Sequence, residues 1–276
     1  MRLFKKVAIV GTGLIGGSLG LVIKKQGLAA EVVGISRHKK NLLLAQRRGA
    51  IDRGSQSLEI INGADLLILA TPVEVIMNLA PKISKIVSKD CIVTDVGSTK
   101  SEIVAHLSKI FPGYVGSHPL AGSEKRSIAY ANTDIFKNSL CVLTPKKNTE
   151  RKALNKLKIL WAKAGARVVL LTPRSHDKIL SFVSHLPHAV AFSLVSIMPE
   201  KFLKFASTGL KDTTRIASSD SELWAEIFLS NPDNILKAIR SLEGKIAEVK
   251  KAIQKKDKQK LLKILKEAKR KRDSLG

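Results

Sequence analysis

Across residues 1–172, short uninterrupted apolar runs alternate with segments whose apolar residues recur every three or four positions. Runs of strand length fall at 7–10, 31–35, 66–70, 92–95, 114–116, 140–144 and 167–171. Most are continuous, not alternating, which is the pattern of parallel strands covered on both faces. Helical patterns lie between them at 14–25, 39–48, 73–87, 98–110 and 150–164. Strand and helix in strict alternation predict βαβ units and a doubly wound α/β sheet. After Thr172-Pro173 the alternation stops. One long apolar helical pattern covers 175–198, interrupted at Pro187, and beyond it come helices and loops without a convincing strand. Two domains are therefore predicted: residues 1–172, and an all-helical unit at 173–276.

A chain of 276 residues with 44% apolar and 26% charged residues is globular in composition, and each half is long enough to bury a core. The first residues run straight into a strand with no apolar leader and no small-residue cleavage site, and no uncharged apolar run of about 20 residues stands out. A cytoplasmic protein is expected, with no membrane partner. Cys91 and Cys141 sit in apolar, strand-like surroundings and read as buried reduced thiols. The net charge of +25 is the one bulk feature that points elsewhere, toward nucleic acid or anionic substrates. Its distribution changes that picture. Residues 237–272 hold 15 Lys and Arg against 4 Asp and Glu. Leu242, Ile246, Val249 and Ile253, then Leu261, Leu262, Ile264, Leu265 and Ala268, recur there at helical spacing. These charges read as the solvated faces of two amphipathic helices joined near Lys256-Asp257. The segment contains no aromatic residue on which bases could stack, so nucleic acid is not the expected partner.

Gly11-Thr-Gly13-Leu14-Ile15-Gly16 follows the first strand and opens the first helix. The first glycine permits the tight turn, the second lets the backbone approach a pyrophosphate, and the third lets helix and strand pack closely. This is the nucleotide-binding turn of a Rossmann domain. Contacts to a dinucleotide are expected from Gly11, Gly13, Leu14, Ile15 and Gly16, and from Thr71-Pro72 after the strand at 66–70. The ribose-binding acid should stand about 20 residues beyond the motif. That position is Ser36, followed by Arg37, His38, Lys39 and Lys40. A hydroxyl and an arginine suit a 2′-phosphate, so NADP is expected in preference to NAD.

Four further segments go beyond a generic dinucleotide domain: Asp95-Val-Gly97-Ser98-Thr-Lys100, Gly116-Ser-His118-Pro-Leu-Ala-Gly122-Ser-Glu124, Ser184-His185-Leu-Pro187-His188, and Lys211-Asp212-Thr-Thr-Arg215-Ile-Ala, followed by Trp224. In this order, and over nearly the whole chain, they resemble the prephenate/arogenate dehydrogenase family. The resemblance implies oxidative decarboxylation of a cyclohexadienol bearing two acidic groups, with hydride passed to a nicotinamide, in tyrosine biosynthesis. It implies His118 as general base, a role that suits a neutral imidazole. Ser98 would hydrogen-bond the same hydroxyl or hold the imidazole. Arg215 would grip a substrate carboxylate bidentately, with Ser184 and His188 near the side chain. Glu124 would pair with Arg215 and gate the site, His176 and Asp177 would form a supporting ionic pair, and Trp224 would pack close to the site, from the partner subunit in one arrangement. A homodimer through the helical domain is implied, and no regulatory domain is expected after the paired helices. His185 reads as structural, and neither the residue spacings nor this reaction calls for a metal.

The expected substrate is prephenate, with arogenate as the alternative: His188 favours the first, and the Ser36-Arg37 pair leans to the second. Arg126-Ser127 and Lys211 depart from the usual family pattern. A β-hydroxyacid dehydrogenase or imine reductase would share the layout but would carry a catalytic lysine in the interdomain helix, where this chain has Ser184 to His188. A basic interaction protein on a Rossmann scaffold would not need His118 or Arg215.

Overall fold

The computed structural model describes residues 2–122 and 127–275. Its first half runs β1 (Phe4–Val10), α1 (Leu14–Lys25), β2 (Ala29–Ile35), α2 (Lys39–Arg47), β3 (Arg53–Ser55), β4 (Leu66–Leu69), α3 (Val73–Ile83), β5 (Ile92–Asp95), α4 (Ser101–Ile110), β6 (Gly116–Pro119), β7 (Leu140–Thr144), α5 (Arg151–Lys163) and β8 (Arg167–Leu170). Five parallel strands form a sheet in the order β3-β2-β1-β4-β5. Alternate residues of one strand feed opposite layers, as the two-residue period of a strand requires. Val7 and Ile9 pack with Leu19, Ile23 and Trp161 on one face, while Ala8 and Val10 pack with Ile76, Val93 and Ile103 on the other. Both faces being covered explains why the strands are apolar throughout.

β6 pairs antiparallel with β7, which pairs parallel with β8. This second sheet joins the edge of the first through main-chain bonds between Val93 and residues Gly113 and Val115. The strand expected at 114–116 lies further on, at Gly116–Pro119, so His118 sits within it. Nothing in Gly-Ser-His-Pro favours a strand; pairing of His118 with Val142 makes it one. β3, a short polar edge strand, carried no apolar signal. α4 begins at Ser101 instead of 98, because residues 96–100 form a loop in which the Asp95 carboxylate accepts the Gly97 N–H at 2.8 Å.

After β8 the Thr172 side chain caps α6 (Pro173–Leu180), whose first residue is the proline that position tolerates. A π-helical turn, Ser181–His185, leads into α7 (Leu186–Ser196). Pro187 thus bends no separate helix out of this run; the widened turn precedes the place where its N–H is missing. By length and mean hydropathy, Pro173–Ser196 would suffice to cross a membrane, which the sequence reading had not anticipated. Four of its six buried positions argue otherwise: His176, Asp177, Ser181 and His185 are polar, and His176, Asp177 and His185 face partners in the rest of the fold. α8 (Glu200–Leu203), α9 (Thr208–Thr214), a 3-10 turn at Arg215–Ser218, α10 (Ser221–Ser230), α11 (Pro232–Gln254) and α12 (Lys258–Asp273) complete the chain. α11 and α12 are joined through Lys256, at φ 50°, and Asp257, which caps α12 on the Lys260 N–H.

The helical half docks through carboxylates placed at helix N-termini, where unpaired N–H groups and the helix dipole favour them. Asp177 accepts the N–H groups of Lys100 and Ser101 at 2.8 and 2.7 Å, at the head of α4. Glu226 accepts the N–H of Glu74 at the head of α3, at 3.1 Å.

Candidate active site

The strand ends of β1, β4 and β5 open toward α10, and a crevice runs between them. One half is a cavity of about 370 Å³ lined by Gly13, Leu14, Ile15, Thr71, Pro72, Gly97, Ser98, His118 and, from the helical side, Ser219, Trp224 and Glu226. The other, about 460 Å³, shares Ser98, His118 and Trp224 and continues to Ser184, His185, His188 and Arg215. The two halves meet at Ser98 and His118.

The first half has the features a dinucleotide needs. Gly11 has φ 99°, and a Cβ there would stand 2.4 Å from the Ala70 carbonyl. A Cβ on Gly16 would stand 2.0 Å from the Gly11 carbonyl. At Gly13 nothing lies within 4 Å, so the absent side chain leaves open space before the first turn of α1. The Thr12 and Thr71 hydroxyls are buried without a partner. These are orphaned polar atoms beside an N–H-rich turn, and they fit a phosphate-bearing ligand. At the end of β2, Ser36 Oγ accepts the His38 N–H at 3.3 Å, and Arg37 is exposed beside it.

A chain of hydrogen bonds backs the junction. His118 Nδ1 lies 2.8 Å from His176 Nε2, and His176 Nδ1 lies 2.8 Å from Asp177 Oδ1. Burial raises the Asp177 pKa, but hydrogen bonds from His176, Ser101 and Lys100 outweigh it and hold the pKa below its ordinary value. The carboxylate is therefore ionised and can only accept. His176 Nδ1 must then donate, and burial keeps His176 neutral by lowering its pKa despite Asp177. His176 Nε2 accepts, so His118 Nδ1 carries a proton and His118 Nε2 carries the lone pair. Burial, then His176, Lys100 and His185, push the His118 pKa well below its usual value. The expected ionic pair of His176 and Asp177 is thus a neutral imidazole bonded to a carboxylate. Among the described residues it is His176 that holds the His118 imidazole. Ser98 lines the crevice and makes no hydrogen bond to it.

In the second half, His188 stacks on Trp224 with ring centroids 3.5 Å apart, and its Nδ1–H donates to the Ser184 carbonyl at 2.9 Å. Burial and the nearby Arg215 lower the His188 pKa. Trp224 lines the crevice together with His118 of the same chain. Glu124 lies outside the described residues. Sequence reading did not single out Leu223, Ile227 and Ser219 in the walls, nor Asn231, whose amide N–H donates to the Asp177 carbonyl. The capping pattern ahead of Pro232 was the one available signal for Asn231. Among the described residues no group of three His, Cys, Asp or Glu side chains could hold a metal ion.

Residues 19–170 match the family model described as "Prephenate dehydrogenase, nucleotide-binding domain", and residues 172–267 match "Prephenate dehydrogenase, dimerization domain". The chain belongs to the prephenate dehydrogenase family. It is 34% identical to the prephenate dehydrogenase of Bacillus subtilis, over 98% of this chain and 76% of that one. It is 30% identical to the cyclohexadienyl dehydrogenase of Zymomonas mobilis, over 100% and 97%. Among solved structures, prephenate dehydrogenase from Aquifex aeolicus in complex with hydroxyphenyl propionate and NAD+ superposes with a TM-score of 0.93 at 35% identity, covering 99% of this chain and 98% of that one. Synechocystis arogenate dehydrogenase gives 0.86 at 28% identity, over 98% and 100%.

Proposed function

We propose that the chain oxidises prephenate to 4-hydroxyphenylpyruvate and carbon dioxide with a nicotinamide dinucleotide, NADP in preference to NAD. The observation that carries this reading is the His118 imidazole at the meeting point of the two cavities, its Nδ1 bonded to His176 with Asp177 behind, which leaves Nε2 free to act as the base. His118 takes the proton of the ring hydroxyl. A dinucleotide held by the glycine turn would supply the acceptor for the hydride on the carbon that bears this hydroxyl. Loss of the ring carboxyl as carbon dioxide leaves its electron pair in the ring, and the proton held on His118 returns to the ring oxygen. No net proton is released. Asp177, acting through His176, stabilises the imidazolium while it lasts. Ser98, beside His118, hydrogen-bonds the same hydroxyl. Arg215 binds a carboxylate of the substrate with Ser184 and His188 alongside, Glu124 closes on Arg215, and Trp224 supports His188 by stacking.

Gly11, Gly13, Leu14, Ile15, Gly16, Thr71 and Pro72 hold the dinucleotide. Ser36 and Arg37, in the place of a carboxylate, support a 2′-phosphate. A homodimer through the helical half is supported by the apolar surface of its first helices, where Ile179, Phe182, Val183 and Ile197 are exposed. We place the enzyme in the cytoplasm, with its relatives in biosynthesis. One observation favours arogenate: with its Nδ1–H committed to Ser184, a neutral His188 presents only an acceptor, which suits an ammonium group. Reduced-nicotinamide absorbance with prephenate and arogenate, each crossed with NADP and NAD, decides among the four pairings. His118→Asn should abolish the activity found. Silence in all four, from folded protein that binds a dinucleotide, would sink the assignment.

A further inference from the structure

Behind the junction lies a second charged group that the reaction as described does not use. Lys100 and Asp95 are both fully buried, with Nζ 2.5 Å from Oδ2. Tyr114 donates its hydroxyl to Asp95 Oδ1 at 2.7 Å, and Lys100 Nζ also donates to the Thr99 carbonyl at 3.1 Å. Two glycines of the motifs make room for this pair. A Cβ on Gly97 would stand 3.0 Å from Asp95 Oδ2, and one on Gly116 would stand 2.5 Å from Thr144 Oγ1 and 3.2 Å from Cδ of Lys100. Gly116 lies two residues before His118 on β6, so the lysine stem passes directly beneath the strand that carries the imidazole. The main-chain N–H of the same lysine binds Asp177, the far end of the hydrogen-bond chain.

We propose that Lys100 is a positioning residue: its side chain, clamped on Asp95, and its N–H, bound to Asp177, hold the His118–His176–Asp177 chain in register and keep a fixed cation behind it. The proposal rests on His118 being the base. A buried ion pair is poor evidence for stability, so its presence beneath this strand asks for another reason. The cation opposes protonation of His118 between turnovers, in the same direction as burial, and makes the imidazolium a better acid when the proton returns to the ring. Among the described residues, the other groups facing His118 are His176 from α6, His185 from the π-helical turn, Cys141 from β7 and Arg215 across the cavity, with Asp95 and Tyr114 beyond Lys100. The Cys141 thiol is held neutral by burial. Asp177 favours the imidazolium through His176, so Lys100 sets the balance against it.

The test is the pH profile of kcat/KM for Lys100→Met, beside wild type and His118→Asn, with dinucleotide binding by fluorescence as the check on folding. Removing the cation should move the acid limb to higher pH by about one unit and lower kcat by about a hundredfold through misplacement of the base. Should an unpaired Asp95 prevent folding, Lys100→Met with Asp95→Leu leaves no charge at either position of the pair and should move the limb the same way by less. An acid limb that stays in place, whether activity falls equally at every pH or not at all, overturns the proposal. An active His118→Asn protein would instead remove the base assignment beneath it.

Discussion

His185 shows how much a single buried side chain can govern. It is 1% exposed, its Nδ1 faces the Asn231 amide, and burial drives its pKa down to about 4. His118 and His176 are shifted in the same direction. Each is neutral in the folded protein, while the unfolded chain titrates near the ordinary value of 6.5. Below that value the unfolded chain binds more protons than the folded one, so stability falls as pH falls from 6.5 toward each folded pKa. At pH 5 the His185 contribution alone comes to about 2 kcal/mol. Urea unfolding at a series of pH values should show this loss between pH 6.5 and 4, well above the range in which Asp177 protonates. His185→Gln should flatten the slope there by about one proton, and an unchanged slope would mean that His185 is charged in the fold. The same shift at His118 predicts that the acid limb of kcat/KM lies below pH 6.5, which a rate profile in low-salt buffer would check.

Among the elements, the glycine turn between β1 and α1 allows the sharpest separation of folding from binding. Gly16→Ala would place a methyl group 2.0 Å from the Gly11 carbonyl, so the turn or the helix must shift and the protein should lose several kcal/mol or fail to fold. Gly13→Ala meets nothing within 4 Å, so thermal unfolding should be nearly unchanged while dinucleotide affinity falls at least tenfold by titration. Equal stability losses in both variants would refute the reading of Gly13 as space kept for a ligand. This turn was legible from the sequence because its chemistry is local, and so were the parallel strands, whose continuous apolar runs follow from two covered faces. β6 was misplaced because its strand character comes from pairing with β7. The start of α4 was misplaced because Asp95, Gly97 and Asp177 together fix the loop before it. Within the candidate site the motif residues could be named, but their connections could not: that His176 holds His118, or that the Asp95–Lys100 pair runs beneath both, depends on contacts between residues 58 and 5 positions apart in a folded chain.

For the whole molecule, the question is what a net charge of +25 does for an enzyme whose proposed substrate carries two carboxylates. Much of that charge lies on α11 and α12, and α12 buries none of its side chains. A field of one sign raises the encounter rate of an oppositely charged ligand without changing the chemistry that follows. Ions screen it over about 8 Å at physiological strength and about 30 Å at a tenth or less of that. If the basic surface steers substrate, kcat/KM should fall by about tenfold between low and physiological salt, while kcat stays level. Replacing the exposed Lys258, Lys260, Lys263 and Lys266 of α12 with glutamine should lower kcat/KM at low salt only, the variant and the parent converging as salt rises. A difference that persisted at high salt would place the effect in the packing of α12 on α11, not in its field. A wild-type kcat/KM indifferent to salt would leave the attraction of substrate to short-range contacts within the site, such as that of Arg215, and the charge of the terminal helices would then have no part in catalysis.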